Sequence, residues 1–212
     1  MKKSIFPVLF LIIFTGIVYS QDDAEALKIL DRFSSKALAA PSISMQFTIR
    51  TTDQVEGTTR NDSGSIILSK DKYKLDLTDN IIWYNGETLW SYLPAEKEVT
   101  ITKPAKNDDS FQAHPSAVFS IYKKGYKCRL LEKSASNYLI DLYPEDLNSD
   151  HIRIRLTIGN PSLDLKELEY KYKNGVTVLV DVSGYDLSKK TESSLFVYPS
   201  GKYKGVEVVD MR

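Results

Sequence analysis

The stretch Ile43-Ser44-Met45-Gln46-Phe47-Thr48-Ile49-Arg50 decides the fold. Its apolar side chains at 43, 45, 47 and 49 alternate with polar ones at 44, 46, 48 and 50. Successive strand residues point to opposite sides, so this period of two makes a strand with one greasy and one wet face. Short segments of the same kind follow at 64–69, 73–78, 81–84, 88–93 and 99–103, then at 126–132, 138–143, 152–158, 165–172, 176–185 and 194–198. Asp, Asn, Gly and Pro punctuate them, as turns require. Asn85-Gly86, between Trp83-Tyr84 and Leu89-Trp90, is the sharpest turn signal and predicts a type I′ hairpin. With no alternation of strand and helix, the sheet is expected to be antiparallel, with about eleven strands.

Upstream, the period changes. Leu27, Leu30, Phe33, Ala37 and Leu38 recur at spacings of three and four among charged residues, which predicts an amphipathic helix over 22–40, ended by Pro41. Between Pro104 and Lys124 the strands are interrupted by a polar run (Lys106 to Ser110) and then by His114-Pro115-Ser116-Ala117-Val118-Phe119-Ser120-Ile121-Tyr122, read as a loop and a short helix. The first twenty residues stand apart. Lys2 and Lys3 precede an apolar run to Val18, too short at about 14 residues to span a bilayer, and Val18-Tyr19-Ser20 suits cleavage before Gln21. A cleavable signal peptide over 1–20 and a single domain over 21–212 are expected, with the mature chain exported and periplasmic. The fold class is α+β and mainly antiparallel β.

Composition excludes several function classes. The 28 basic and 28 acidic residues balance, which gives no basic excess for nucleic acid. One Cys and two His leave little for a His- or Cys-based metal site or a disulfide framework, so no metal and no cofactor is expected, and Cys128 reads as a buried thiol. No phosphate-binding glycine loop, nucleophile elbow or zinc-protease helix occurs. His114, before a proline in a loop, and His151, opening a strand after Asn148-Ser149-Asp150, read as surface or turn residues, and Asp22-Asp23 and Asp108-Asp109 as solvated acids. No catalytic residue is assigned. An exported hydrolase would need one of these groups to converge in a pocket.

What remains is an excess of aromatics, thirteen Tyr and eight Phe with two Trp, on a curled sheet. A sheet of about eleven strands curling toward a barrel encloses more room than one layer of side chains fills, so helices laid over it can leave an apolar cavity for a hydrophobic ligand.

The run Gly64-Ser65-Ile66-Ile67-Leu68-Ser69-Lys70, then Tyr73-Lys74-Leu75, then Ile82-Trp83-Tyr84-Asn85-Gly86-Glu87-Thr88-Leu89-Trp90-Ser91-Tyr92, resembles the core pattern of the LolA family, periplasmic carriers of outer-membrane lipoproteins. The ending from Phe196-Val197-Tyr198 through Tyr203 to Arg212 is similar to that of Bacteroidetes-type members. The resemblance implies an unclosed half-barrel with a helical lid around an apolar cavity that holds lipoprotein acyl chains. It also implies an inner-membrane LolCDE-type ABC transporter as donor and an outer-membrane acceptor, with the carrier a monomer. Strand parity then lines the cavity with Met45, Phe47, Ile49, Ile66, Leu68, Leu75, Trp90 and Tyr92, with Phe119 on the lid. Lys70 stands where the family commonly carries a lid-closing Arg, and Lys forms a weaker, non-planar set of hydrogen bonds. The alternative is a periplasmic binding protein of the same fold for another lipid or hydrophobic molecule.

Overall fold

The computed structural model describes residues 21–104 and 115–212. The expected leader, the polar run at 106–110 and His114 lie outside them. Helix α1 (Gln21–Ala39) is followed by strands β1 (Ile43–Asp53), β2 (Thr58–Ser69), β3 (Lys72–Leu77), β4 (Ile81–Tyr84), β5 (Leu89–Leu93) and β6 (Glu98–Thr102). Two 3-10 turns, Pro115–Phe119 and Ile121–Lys123, precede β7 (Tyr126–Lys133), β8 (Asn137–Pro144), β9 (His151–Gly159), β10 (Leu165–Tyr172) and β11 (Val176–Asp186). The tail adds two more 3-10 turns, Ser193–Phe196 and Ser200–Lys202, and β12 (Glu207–Asp210).

All twelve strands form one unclosed sheet in the order β12-β6-β5-β4-β3-β2-β1-β11-β10-β9-β8-β7. The long β1 is its spine, paired along its whole length with β2 and along most of it with β11. Every neighbouring pair is antiparallel except the last, since β12 runs parallel to β6. Two expectations are corrected here. The segment at 194–198 is a 3-10 turn and no strand, because Phe196 is buried and Pro199 follows, which suits neither ladder nor alternation. The closing strand lies further on, at Glu207–Asp210, where a parallel partner arrives from a distant part of the chain.

The Asn85-Gly86 hairpin forms, but as a different turn. Among the described residues Gly86 has φ of 97° while Asn85 is not left-handed, and Asn85 Oδ1 instead accepts from the backbone N–H groups of Glu87 and Thr88. The Asn side chain thus replaces a backbone turn bond. Gly64 answers a different need. A Cβ there would sit 2.7 Å from the Asp76 carbonyl oxygen and 3.0 Å from the Phe47 ring, so only glycine lets β1, β2 and β3 approach so closely.

Helix α1 buries Ala26, Ile29, Leu30, Phe33 and Ala37, whereas Leu27 and Leu38 point outward. The expected stripe was therefore about one residue out of phase at both ends. Its buried face lies on the inner face of the sheet, over Ile43, Met45, Phe47, Ile66, Leu68, Tyr73 and Leu75 on one side and Leu130, Ile140, Leu156, Ile158 and Leu165 on the other. A second, smaller core sits on the outer face, where Trp83, Tyr92 and Val99 pack under Tyr198, Tyr203 and Val206 of the tail.

Candidate lipid-binding cup

The register brings most of the expected lining residues together. On β1, Met45 lies opposite Ile66, Phe47 opposite Gly64, and Leu68 opposite Ile43. Leu75 continues the row from Ile66 onto β3, and Phe119 closes over it from the Pro115–Phe119 turn. Met45, Phe47, Ile49, Ile66, Leu68, Leu75 and Phe119 thus belong to one apolar body on the inner face. Trp90 and Tyr92 do not. Trp90 pairs with Trp83 and Tyr92 with Val99, and all four belong to the outer-face core, with the Tyr92 and Tyr203 ring centroids 4.6 Å apart. Leu89, one residue before Trp90, is the β5 side chain that joins the inner body.

The inside of the cup is occupied by the protein's own lid. Phe33 of α1 meets Phe119 at 5.4 Å between ring centroids, and both are fully buried. Polar links hold α1 from its edges, among them a Lys36 donation to the Ser162 carbonyl oxygen. Lys133 of β7 donates to Glu25 at 2.8 Å, Lys36 to Asp164 at 3.0 Å, and the Tyr122 hydroxyl to Asp31 at 2.6 Å. The Lys133–Glu25 and Lys36–Asp164 pairs are largely solvent-exposed and water screens them, so they add little to the fold. Burial, reinforced by Asp31, pushes the Tyr122 hydroxyl up to about 12, so it stays a donor at any physiological pH. Cys128 lies beneath Tyr122 as a free thiol pushed up to about 11 by burial.

Lys70 sits in the β2–β3 turn with φ of 54°. With Leu68, Asp71, Lys72, Tyr73, Pro115 and Ser116 it lines a cleft of about 280 Å³ between that turn and the 3-10 segment. It faces the lid segment across this gap and makes no ion pair among the described residues.

Coverage of the inner face is uneven. Both Lys36 and Lys133 tie α1 to the end of the sheet where β1 begins, and there Met45, Phe47, Val182 and Leu168 are buried. Toward the other end of the same rows Ile49, Val178, Val180, Tyr170 and Tyr172 are only half-buried. This half-covered mouth carries an aromatic group that the alternation did not reveal. Tyr126 of β7 stacks on His151 of β9 at 5.8 Å, and Tyr170 and Tyr172 of β10 stand nearly perpendicular to the His ring at 6.3 and 6.4 Å. His151 opens β9, as expected, but is a half-buried member of this group where a surface or turn position was expected. The only signal for it in sequence was tyrosine at 170 and 172, two residues apart on one strand.

The outer face behind this half of the sheet is ionic. Asp141, 1% exposed, accepts from Arg155 at 2.7 and 2.9 Å and from the Tyr143 hydroxyl, and Arg153 bridges it to Glu169. Burial alone would raise the Asp141 carboxyl, but Arg155 and Tyr143 together hold it below its usual range. No three His, Cys, Asp or Glu side chains are grouped to hold a metal ion among the described residues.

Residues 17–176 match the model of a family described as outer membrane lipoprotein carrier protein LolA. Among solved structures, an uncharacterized conserved protein from Thermus thermophilus is similar at 13% identity and a TM-score of 0.56, covering 88% of this chain and 99% of its own. A LolA superfamily protein from Nitrosomonas europaea is similar at 13% identity and a TM-score of 0.43, over 82% of this chain and 98% of that one. The lipoprotein LppX of Mycobacterium tuberculosis is similar at 11% identity and 0.45, over 80% and 100%. No curated protein sequence matches.

Proposed function

The chain belongs to the LolA family, and from that premise we propose that it is an exported carrier that shelters the acyl chains of lipoproteins between the inner and outer membranes. Residues 1–20 are the cleaved signal that sends it to the periplasm. A LolCDE-type transporter loads it and an outer-membrane acceptor unloads it. It works without chemistry and without a cofactor.

The observation that carries this reading is a continuous apolar sheet face, from Met45 and Phe47 to Leu75, covered by a helix with few polar ties. A carrier must bind strongly enough to keep a lipid from water and weakly enough to let go. Burying one acyl chain of roughly sixteen carbons is worth on the order of 12 kcal/mol at about 0.8 kcal/mol per methylene. To admit it, α1 must lift Ile29, Leu30 and Phe33 off the sheet, which costs roughly 5 to 9 kcal/mol at about 1.5 to 3 kcal/mol per large side chain. The sheet exchanges one apolar cover for another, and only the few kcal/mol of difference holds the cargo. Release then needs no energy source at the acceptor.

Photocrosslinkers placed in cells at Phe47 and at Trp90 test the reading. Phe47 is expected to capture acylated lipoproteins and Trp90, on the outer face, to capture none. Absence of any lipoprotein at Phe47 refutes lipoprotein carriage, and a free lipid there instead supports the same fold serving a different hydrophobic ligand.

A further inference from the structure

Three loops share one end of the sheet. There β1 finishes and β11 begins, with Asp53 opposite Val176; β10 finishes and β9 begins, with Tyr172 opposite His151; and β8 finishes and β7 begins, with Pro144 opposite Tyr126. The β1–β2 loop (54–57), the β8–β9 loop (145–150) and the β10–β11 loop (173–175) therefore make one rim. On it stand Val55, 79% exposed, and Leu147, 87% exposed, the two most exposed large apolar side chains among the described residues. Ile152, also exposed, lies just inside β9.

A single exposed aliphatic side chain says nothing, since folded proteins carry many. These differ because hydrogen bonds fix how they are presented. Asp53 Oδ1 accepts from the N–H groups of Val55 at 2.8 Å and Glu56 at 3.0 Å, and Asp146 Oδ1 accepts from Asn148 N–H at 2.8 Å, so each apolar residue sits in a turn closed by an aspartate. The loops are also tied to each other. Gln54 N–H donates to the Gly175 carbonyl at 3.3 Å, Lys173 N–H to the Asp150 carbonyl at 2.9 Å, and the Lys173 ammonium to the Leu147 carbonyl. Gly175 lets the first two loops close up, because a Cβ there would meet Val55 Cγ2 at 3.1 Å. The β1–β2 and β8–β9 loops lie three ladder steps apart, roughly 14 Å at about 4.8 Å each, and the third loop braces them between.

We infer that this rim is a membrane-touching edge, on which Val55 and Leu147 dip into the headgroup layer of a zwitterionic phospholipid bilayer. Apolar side chains standing this far apart do not form the contiguous, desolvated centre that a protein interface needs. A bilayer is soft and takes each tip separately. Charge selects the kind of lipid. Residues 53–57, 123–125, 145–150 and 173–175 carry five acids and three bases, so the rim repels an anionic surface. Asp53 and Glu56 flank Val55, and Asp146 precedes Leu147, which sets carboxylates at the level of the ammonium groups that zwitterionic headgroups present outermost. A contact of so few side chains is weak and short-lived. It does not depend on the cup holding a lipid, although it would bring the end where Ile49, Val178 and Val180 are half-covered up to the bilayer.

Tryptophan quenching on the full mature chain tests this. Vesicles of phosphatidylcholine and phosphatidylethanolamine, brominated on their acyl chains near the headgroup, quench only an indole that enters the bilayer. In Val55→Trp and Leu147→Trp the added emission is expected to fall several-fold on contact with them. In Val208→Trp, exposed on β12 at the far edge of the sheet, it is expected to stay unchanged. Joint Val55→Asp and Leu147→Asp substitution should cut co-flotation with plain vesicles several-fold, while circular dichroism and binding of a fluorescent sixteen-carbon fatty acid remain those of the parent. Added salt should leave co-flotation intact, and phosphatidylglycerol should weaken it. No quenching at 55 and 147, equal quenching at 208, or contact with phosphatidylglycerol vesicles alone overturns the inference. Quenching at both tips in a protein that binds no fatty acid upholds the membrane edge and counts against lipid carriage, so the two readings fail separately.

Discussion

Replacing Phe33 by alanine is expected to make the protein less stable and its grip on an acyl chain tighter. Phe33 is fully buried in α1 and meets Phe119 across the cup. Truncating a buried phenylalanine removes its transfer free energy and leaves a hole, so the ligand-free fold should lose about 3 to 5 kcal/mol. The same ring is one of three large side chains that an incoming acyl chain must displace. Without it, lifting the helix costs about 1.5 to 3 kcal/mol less, while the sheet face that receives the ligand is unchanged. Affinity should therefore rise roughly tenfold to a hundredfold. Urea unfolding, with and without a fluorescent fatty acid, measures the first quantity, and titration of that fatty acid at fixed protein measures the second. The ligand should also restore stability in proportion to the logarithm of its excess over the dissociation constant. Unchanged or weaker binding in a Phe33→Ala protein that keeps its native circular dichroism would refute the idea that lid and cargo compete for one surface.

Other consequences follow from close contacts and buried charges. Gly64→Ala forces a methyl against the Asp76 carbonyl oxygen and the Phe47 ring, so it should lower stability by about 1 to 3 kcal/mol in urea titration; a neutral result would mean that the strands separate freely there. Asp141 has a lowered value in the fold, so its stabilisation is fully present above about 3.8 and is lost as pH falls below that. Below about pH 4 the urea midpoint should therefore drop by more in the parent than in Asp141→Asn, which is already weakened at neutral pH by leaving Arg155 unpaired. Cys128 should resist thiol reagents at about pH 8 in the native protein and react at once in urea, since burial raises its thiol to about 11.

Strand positions were legible because Ile43 to Arg50 and its successors alternate cleanly and their turns carry Asn, Gly and Pro. Which face of a strand turns inward was legible only where the other face is polar. On β1 that holds, and Met45, Phe47 and Ile49 fall inside as read. On β5 both faces are apolar, Leu89 and Leu93 on one and Trp90 and Tyr92 on the other, so parity could not tell inside from outside, and the two rings lie outside. What draws them there is the tail, whose Tyr198 and Tyr203 approach from a distant part of the chain and carry no local signal. The mouth was hidden for a similar reason. Tyr126, His151, Tyr170 and Tyr172 meet only through the successive pairings of β7 with β8, β8 with β9 and β9 with β10, and a register shift between Lys171 and Tyr172 is needed to set Tyr172 opposite His151. On α1 the face was misjudged because its apolar residues cover more than one side: Ala26 and Ile29 turn inward while Leu27 and Leu38 are exposed.

The last strand in the chain is the first in the sheet. Glu207 to Asp210 cover the flank of β6, and the segment before them covers Trp83 and Tyr92, so both sites depend on residues far along the chain. A chain cut before Tyr198 would present a sticky margin and an oily patch together. One short segment thus guards a margin and a greasy surface that no other described element reaches.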